Sequence, residues 1–137
     1  MKKMFQAKID EIRPTQHWIM EQIEAVGFSS KELKQIELAS EEVMVNTISH
    51  GLKGVGEIEL EVNLYQFGVE ITFSDTGPPF NPLKREDFNP DLELEERQIG
   101  GLGIHFIREC MDEIEYERQE NQNLLKLKKT TYSSRKK

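Results

Sequence analysis

Between Glu57 and Phe73 the side chains alternate so strictly that most folds are excluded at once. Ile58, Leu60, Val62 and Leu64 fall on one side, and Glu57, Glu59, Glu61 and Asn63 on the other. A period of two is the signature of a strand with one face in a core and one in water. The pattern breaks at Gln66-Phe67-Gly68 and resumes through Val69, Ile71 and Phe73, which predicts an antiparallel hairpin. A sheet that is apolar on one face must be covered, and the flanking segments carry helical patterns. One helix opens near Pro14, bears Trp18, Ile19, Ile23 and Val26, and stops at Gly27. A second, over roughly 30–49, starts from a capping box of Ser29 and Glu32. A third follows Gly103 with Ile104, Phe106, Ile107, Cys110 and Met111. Residues 4–9 predict a short first strand, and 113–118 and 123–130, joined across Glu120-Asn121-Gln122, predict two last ones. The order β-α-α-β-β-loop-α-β-β predicts an α/β fold, an α+β two-layer sandwich whose mixed, mostly antiparallel sheet carries its helices on one face.

At 137 residues the chain is the size of one domain, and no repeat or linker divides residues 1–137. The net charge of -7 argues against a phosphate-backbone binder, which needs a concentrated basic surface. Only the end is basic (Lys126, Lys128, Lys129, Arg135, Lys136, Lys137), and it reads as a solvated strand edge followed by a disordered tail over about 132–137. No apolar run approaches the ~18–20 residues that a membrane span needs. Lys2 and Lys3 are not followed by the apolar core of a signal peptide. The single cysteine, Cys110, suits a reducing, cytoplasmic compartment. The expected partners are proteins and small molecules, not nucleic acid or membrane.

Three stretches carry residue types that this scaffold does not need for folding. In Glu41-Glu42-Val43-Met44-Val45-Asn46, Glu42 and Asn46 are four apart and share one helix face. Alone the pair is a solvated polar face, but Leu38, Ala39, Val43 and Ile48 make the helix largely apolar around it. Glu41 points about 100° away and cannot replace Glu42. The second stretch, Asp75-Thr76-Gly77-Pro78-Pro79-Phe80-Asn81-Pro82, follows a buried strand. It is either a turn or a carboxylate placed to accept the exocyclic amine of adenine, with Gly77 allowing close backbone approach. The third, Gly100-Gly101-Leu102-Gly103-Ile104, costs a helix about 1 kcal/mol per glycine. Its use is backbone freedom at a helix start, where N–H groups favour phosphate, or else a hinge or close packing. A Rossmann site fails because no strand precedes the glycines, and Walker A fails because no Gly-Lys-Ser/Thr is present. Between these motifs, residues 76–101 hold four of the five prolines and no periodicity, as functional or mobile loops do.

The order and spacing of the three stretches resemble the GHKL ATPase superfamily. Glu42/Asn46 match its N box, Asp75-x-Gly77 its first glycine box and Gly101-x-Gly103 its second. The compact length, Asp-x-Gly-Pro-Pro-Phe-Asn-Pro, and Gly-Gly-Leu-Gly-Ile followed by Cys110-Met111-Asp112-Glu113 are most similar to the anti-sigma-factor serine/threonine kinases of bacterial partner-switching pathways. The resemblance implies a Bergerat ATP-binding fold. It also implies a Mg2+ ligand at Asn46, a general base at Glu42, an adenine reader at Asp75 and a pocket wall at Gly77. Phosphate would be cradled by Gly101, Leu102 and Gly103, and the lid would lie over about 83–99. It implies a homodimeric protein serine kinase that sequesters a sigma factor and phosphorylates a STAS-domain anti-anti-sigma protein. The alternatives are a non-catalytic ATP-binding module that grips a protein partner, and a detached histidine-kinase catalytic domain. Two positions depart from the pattern. The threonine that the family often has at the start of its last strand falls on Asn123 or Leu124, with Thr130 too late, and the lid offers only Lys84, Arg85 and Arg97 among many acids, Arg97 being the best clamp. His17, His50 and His105 read as structural or exposed.

Overall fold

The structure is a computed structural model that describes residues 1–84 and 103–131. Five strands form one sheet: β1 (Lys2–Gln6), β2 (Glu57–Tyr65), β3 (Gly68–Asp75), β4 (Glu113–Gln119) and β5 (Gln122–Thr130). Their spatial order is β1-β2-β3-β5-β4. All four pairings are antiparallel, so the sheet has no parallel component among the described residues. The alternation seen in the sequence sets the faces. Ile58, Leu60, Val62, Val69, Ile71, Phe73, Leu125 and Leu127 are buried, and they meet three helices on one side. Leu64 escapes burial because it sits beside the two-residue turn that closes β2 onto β3.

The helices are α1 (Ile12–Ile23), α2 (Ser30–Asn46) and α3 (Gly103–Cys110). In α1 the buried residues Ile12, Thr15, Ile19 and Ile23 form a stripe three or four residues apart, and Pro14 lies in the first turn as expected. The chain then tightens into a 3-10 turn and leaves it at Gly27, whose φ of 88° is a left-handed value that a side chain would resist. The Ser29/Glu32 capping box forms in both directions: Glu32 N donates to Ser29 Oγ at 3.1 Å and Ser29 N to Glu32 Oε1 at 2.9 Å. Such a cap stabilises a helix by about 1 kcal/mol. Past Asn46, α2 continues as a π-helical turn over Thr47–Gly51, with Leu52 N donating to Thr47 O at 2.7 Å.

Two further expectations change. The first strand is Lys2–Gln6 and not 4–9, because it ends where β2 begins, at the Gln6–Glu57 pair. The basic end of the chain is not a solvated edge: β5 lies between β3 and β4. Lys126 and Lys128 stand on the uncovered face beside Glu70, at 3.7 and 3.6 Å, and Lys128 also meets Glu113 at 3.4 Å. Glu113, through hydrogen bonding and its charge, raises the Lys128 pKa. Lys129 points the other way. It is 3% exposed, and its Nζ donates to Cys110 O at the end of α3 at 2.5 Å. A cation there meets the negative end of the helix dipole. The tail from residue 132 lies outside the described residues, as does the expected lid beyond Lys84.

Candidate nucleotide site

The sheet and helices bring together the sequence motifs at one end of the two layers. Glu42 and Asn46, on the inner face of α2, are 5% and 9% exposed, whereas neighbouring Glu41 is exposed. Asn46 Nδ2 donates to Glu42 O at 2.9 Å. This i-to-i-4 bond turns the amide nitrogen toward the helix and puts Oδ1 on the other side of the amide. Across from α2, α3 begins at Gly103, whose φ is 76°. Its N–H donates to Glu42 Oε1 at 3.1 Å. The start of the glycine-rich helix is therefore tied to the carboxylate of the first motif. Gly101 and Leu102, expected beside it, lie outside the described residues.

The second motif leaves the last residue of β3. Asp75 Oδ1 accepts from Gly77 N at 2.9 Å, a local turn that aspartate forms readily. Gly77 is needed for packing: a Cβ there would run into Leu52 Cδ2 and lie 3.1 Å from Asp75 Oδ1. A Cβ on Gly51 would lie 2.9 Å from the Phe80 ring. The π-helical turn that prolongs α2 thus presses directly on the Asp75 loop. Such turns often occur at functional positions, and here the extra residue per turn delivers Gly51 and Leu52 to the loop.

Asn123 is the residue on which this loop converges, and sequence reasoning does not separate it from Leu124 or give it a role. The β3–β5 register places Asn123 opposite Asp75. It is 6% exposed. Its Nδ2 donates to Asp75 Oδ1 at 3.0 Å and Pro78 O at 2.9 Å. Its Oδ1 accepts from Tyr116 OH at 2.5 Å, Phe80 N at 3.1 Å and Arg118 Nη1 at 3.2 Å. Leu124 falls on the opposite face. Thr130, at the far end of β5, bonds Asp112 instead, with Oγ1 donating at 2.9 Å. Of the histidines, His17 and His105 are exposed and His50 is half-buried, and His105 faces Glu109 at 2.9 Å on the surface.

No cluster of three histidine, cysteine or acidic side chains that could cage a metal exists among the described residues. The oxygen donors at this end suit a hard cation that takes most of its shell from phosphate and water, with one amide oxygen from the protein. Asp75 supplies a carboxylate for a hydrogen-bond donor, and Gly103 a backbone N–H that an anion already occupies.

Comparison with known proteins places the chain in a family. Residues 5–129 match the family of histidine kinase-like ATPase domains. A serine-protein kinase RsbW from Listeria innocua is 31% identical over 94 residues, covering 64% of this chain and 60% of that protein. The RsbW of Bacillus cereus is 31% identical over 108 residues, covering 75% of this chain and 68% of that one. The chain thus spans less than two thirds of the Listeria protein's length. Among solved structures, the catalytic domain of histidine kinase ThkA has a TM-score of 0.55 at 16% identity, with 96% of both chains covered. Acinetobacter baumannii histidine kinase AdeS has a TM-score of 0.51 at 14% identity, with 96% of this chain and 68% of that one covered. The two structures share the fold. The chain is thus a member of the histidine-kinase-like ATPase domain family and, within it, of the group that includes the RsbW serine-protein kinases.

Proposed function

We propose that this protein is an ATP-dependent protein serine kinase and anti-sigma factor, which phosphorylates a serine on a STAS-domain anti-anti-sigma protein and holds or releases a sigma factor accordingly. The observation that carries this reading is the joining of Glu42 to the start of α3. It sets a buried carboxylate beside a backbone N–H, that of Gly103, of the kind that receives phosphate. Mg-ATP, when bound, supplies the γ-phosphoryl group. Asp75 accepts the adenine amine, and Gly77 lines that pocket. Asn46 offers Oδ1 to Mg2+, and the N–H groups of Gly101, Leu102 and Gly103 take phosphate oxygens. Glu42 receives the proton of the acceptor serine as its Oγ bonds to the γ-phosphorus and the bond to the ADP oxygen breaks. Homodimerisation and a cytoplasmic setting belong to the same proposal. No helix among the described residues is long and apolar enough to cross a membrane.

Incubation with labelled ATP, magnesium and the cognate antagonist tests the proposal. Acid-stable phosphoserine on the antagonist is the expected product. Acid-labile phosphate would select a histidine acceptor, and tight nucleotide binding without transfer would leave a binding module.

A further inference from the structure

Arg118, Asn123 and Asp75 stand in one row across three strands. Arg118 on β4 pairs with Asn123 on β5, and Asn123 pairs with Asp75 on β3. All three lie on the helix-bearing side, at the end of the sheet where the loop after β3 departs. The row is bonded along its length. Arg118 Nη1 donates to Asn123 Oδ1 at 3.2 Å and to Gly77 O at 2.8 Å. Tyr116, two residues earlier on the same face of β4, donates its OH to the same Oδ1 at 2.5 Å.

An asparagine amide can point either way, and its environment decides. Here three donors converge on Oδ1, so the amide nitrogen must face Asp75 and Pro78. That orientation has a consequence at Asp75. Its Oδ1 takes two donors, Asn123 Nδ2 and Gly77 N, while no donor among the described residues reaches Oδ2. The carboxylate is therefore held by one oxygen and presents the other.

We infer that Arg118, acting through Asn123 with the help of Tyr116, is a positioning residue that presents Asp75 Oδ2 to the 6-amino group of the base and so sets the protein's preference for adenine. The inference rests on the proposed adenine site. Arg118 works at one remove: its guanidinium joins Tyr116 OH and Phe80 N in setting the polarity of Asn123 and also holds the carbonyl of Gly77, and these fix the carboxylate. A flipped Asn123 would turn its oxygen toward Asp75, and the repulsion would swing the carboxylate out of register with the base.

The test compares two nucleotides by calorimetry with magnesium present: ATP, and purine riboside triphosphate, which lacks the 6-amino group. The unmodified protein is expected to prefer ATP by roughly 10–100-fold, as for a charge-assisted hydrogen bond. Arg118→Met should weaken ATP about 3–10-fold and the amine-free nucleotide less than twofold. Arg118→Lys, which can still donate to Gly77 O, should recover part of the preference. Tyr116→Phe removes a single donor without altering the packing and should shift selectivity in the same direction by a smaller factor. Arg118→Met added to Asp75→Asn should change ATP affinity no further. Equal weakening of both nucleotides, unchanged ATP affinity, or an undiminished effect in the Asp75→Asn background would overturn the role of Arg118. Absence of any ATP preference in the unmodified protein would overturn the adenine site itself.

Discussion

At the Asp75 end of the site, one asparagine side chain gathers five hydrogen bonds from β3, β4 and the loop after β3. At the Gly103 end, α2 and α3 meet through a backbone N–H on the Glu42 carboxylate, and Ile107 of α3 is buried in the common core. On the proposed function, the difference matches what each end would have to do. A base is the same group before and after phosphoryl transfer, so its reader can be fixed by a dense network. Phosphate changes in number and charge, and a carboxylate that must take a proton cannot be spent on holding the fold. Buried networks that are fully satisfied specify one arrangement. A charge-assisted bond from a backbone N–H to a carboxylate, such as that of Gly103 to Glu42, can be exchanged for one to another anion.

The largest expected effect probes the adaptable end. Glu42→Ala should lower phosphotransfer by about 10²–10⁴-fold, the usual contribution of a positioned base. ATP affinity should stay within a few-fold, or tighten, because the N–H of Gly103 would be released to phosphate. Rates and affinities measured on one preparation check this. A collapse of ATP binding would mean that Glu42 is structural, and that the two ends differ less than the hydrogen bonds suggest.

Next comes the fixed end. Asp75→Ala should weaken ATP by roughly 10–100-fold. It also leaves Asn123 Nδ2 and Gly77 N without their shared acceptor, so the melting temperature should fall as well. Glu42→Ala should lower it less. Thermal unfolding of the two variants side by side gives the comparison its sharpest form: loss of stability at the base end, loss of chemistry at the phosphate end. Equal destabilisation by both would break it.

A smaller effect is expected where the ends are joined. Gly51→Ala places a methyl group against the Phe80 ring, a rigid neighbour, and should cost about 1–3 kcal/mol by overpacking. Gly77→Ala meets the terminal methyl of Leu52, which can rotate away, so its stability cost should be lower. Denaturant unfolding of the pair decides whether the π-helical turn is a rigid strut between α2 and the Asp75 loop.

Much of the fold is legible in the amino-acid sequence alone. Local patterns carry the hairpin, the capping box and the Glu42/Asn46 face, because each is fixed by residues within about four positions of one another. The Arg118–Asn123–Asp75 row is not legible there, since it joins residues 5 and 48 positions apart through the order of the strands. Register from Leu127 narrows the position to Asn123 or Leu124, and only the pairing of β3 with β5 separates the two. Arg118 gives no local signal at all. Lys129 misleads for a related reason. Lys126, Lys128 and Lys129 look like one basic cluster in the sequence, but adjacent strand residues face opposite sides. The glycine-rich stretch is legible as a motif, yet of Gly101, Leu102 and Gly103 only Gly103 lies among the described residues.

The smallest effect concerns the far end of α3, on which the hold at Gly103 also depends. Cys110 is 4% exposed. Burial pushes its thiol above the ordinary 9.0, opposed by the nearby charge of Lys129 and assisted by Glu109. A thiol whose pKa is raised by folding contributes stability that is fully present below the unfolded value. That contribution is lost as pH rises through the folded one. Stability should therefore be flat in this term at neutral pH and decline slightly above about pH 9, a decline that Cys110→Ala would remove. Alkylation at pH 8 should be far slower than for a free thiol. Lys129→Met, which strips the amine from Cys110 O, should speed alkylation by loosening the last turn of α3. If that loosening also weakens ATP while leaving the ATP preference over purine riboside triphosphate unchanged, α3 is a lever on the phosphate end alone. A change in the preference would mean that the two ends share one network after all.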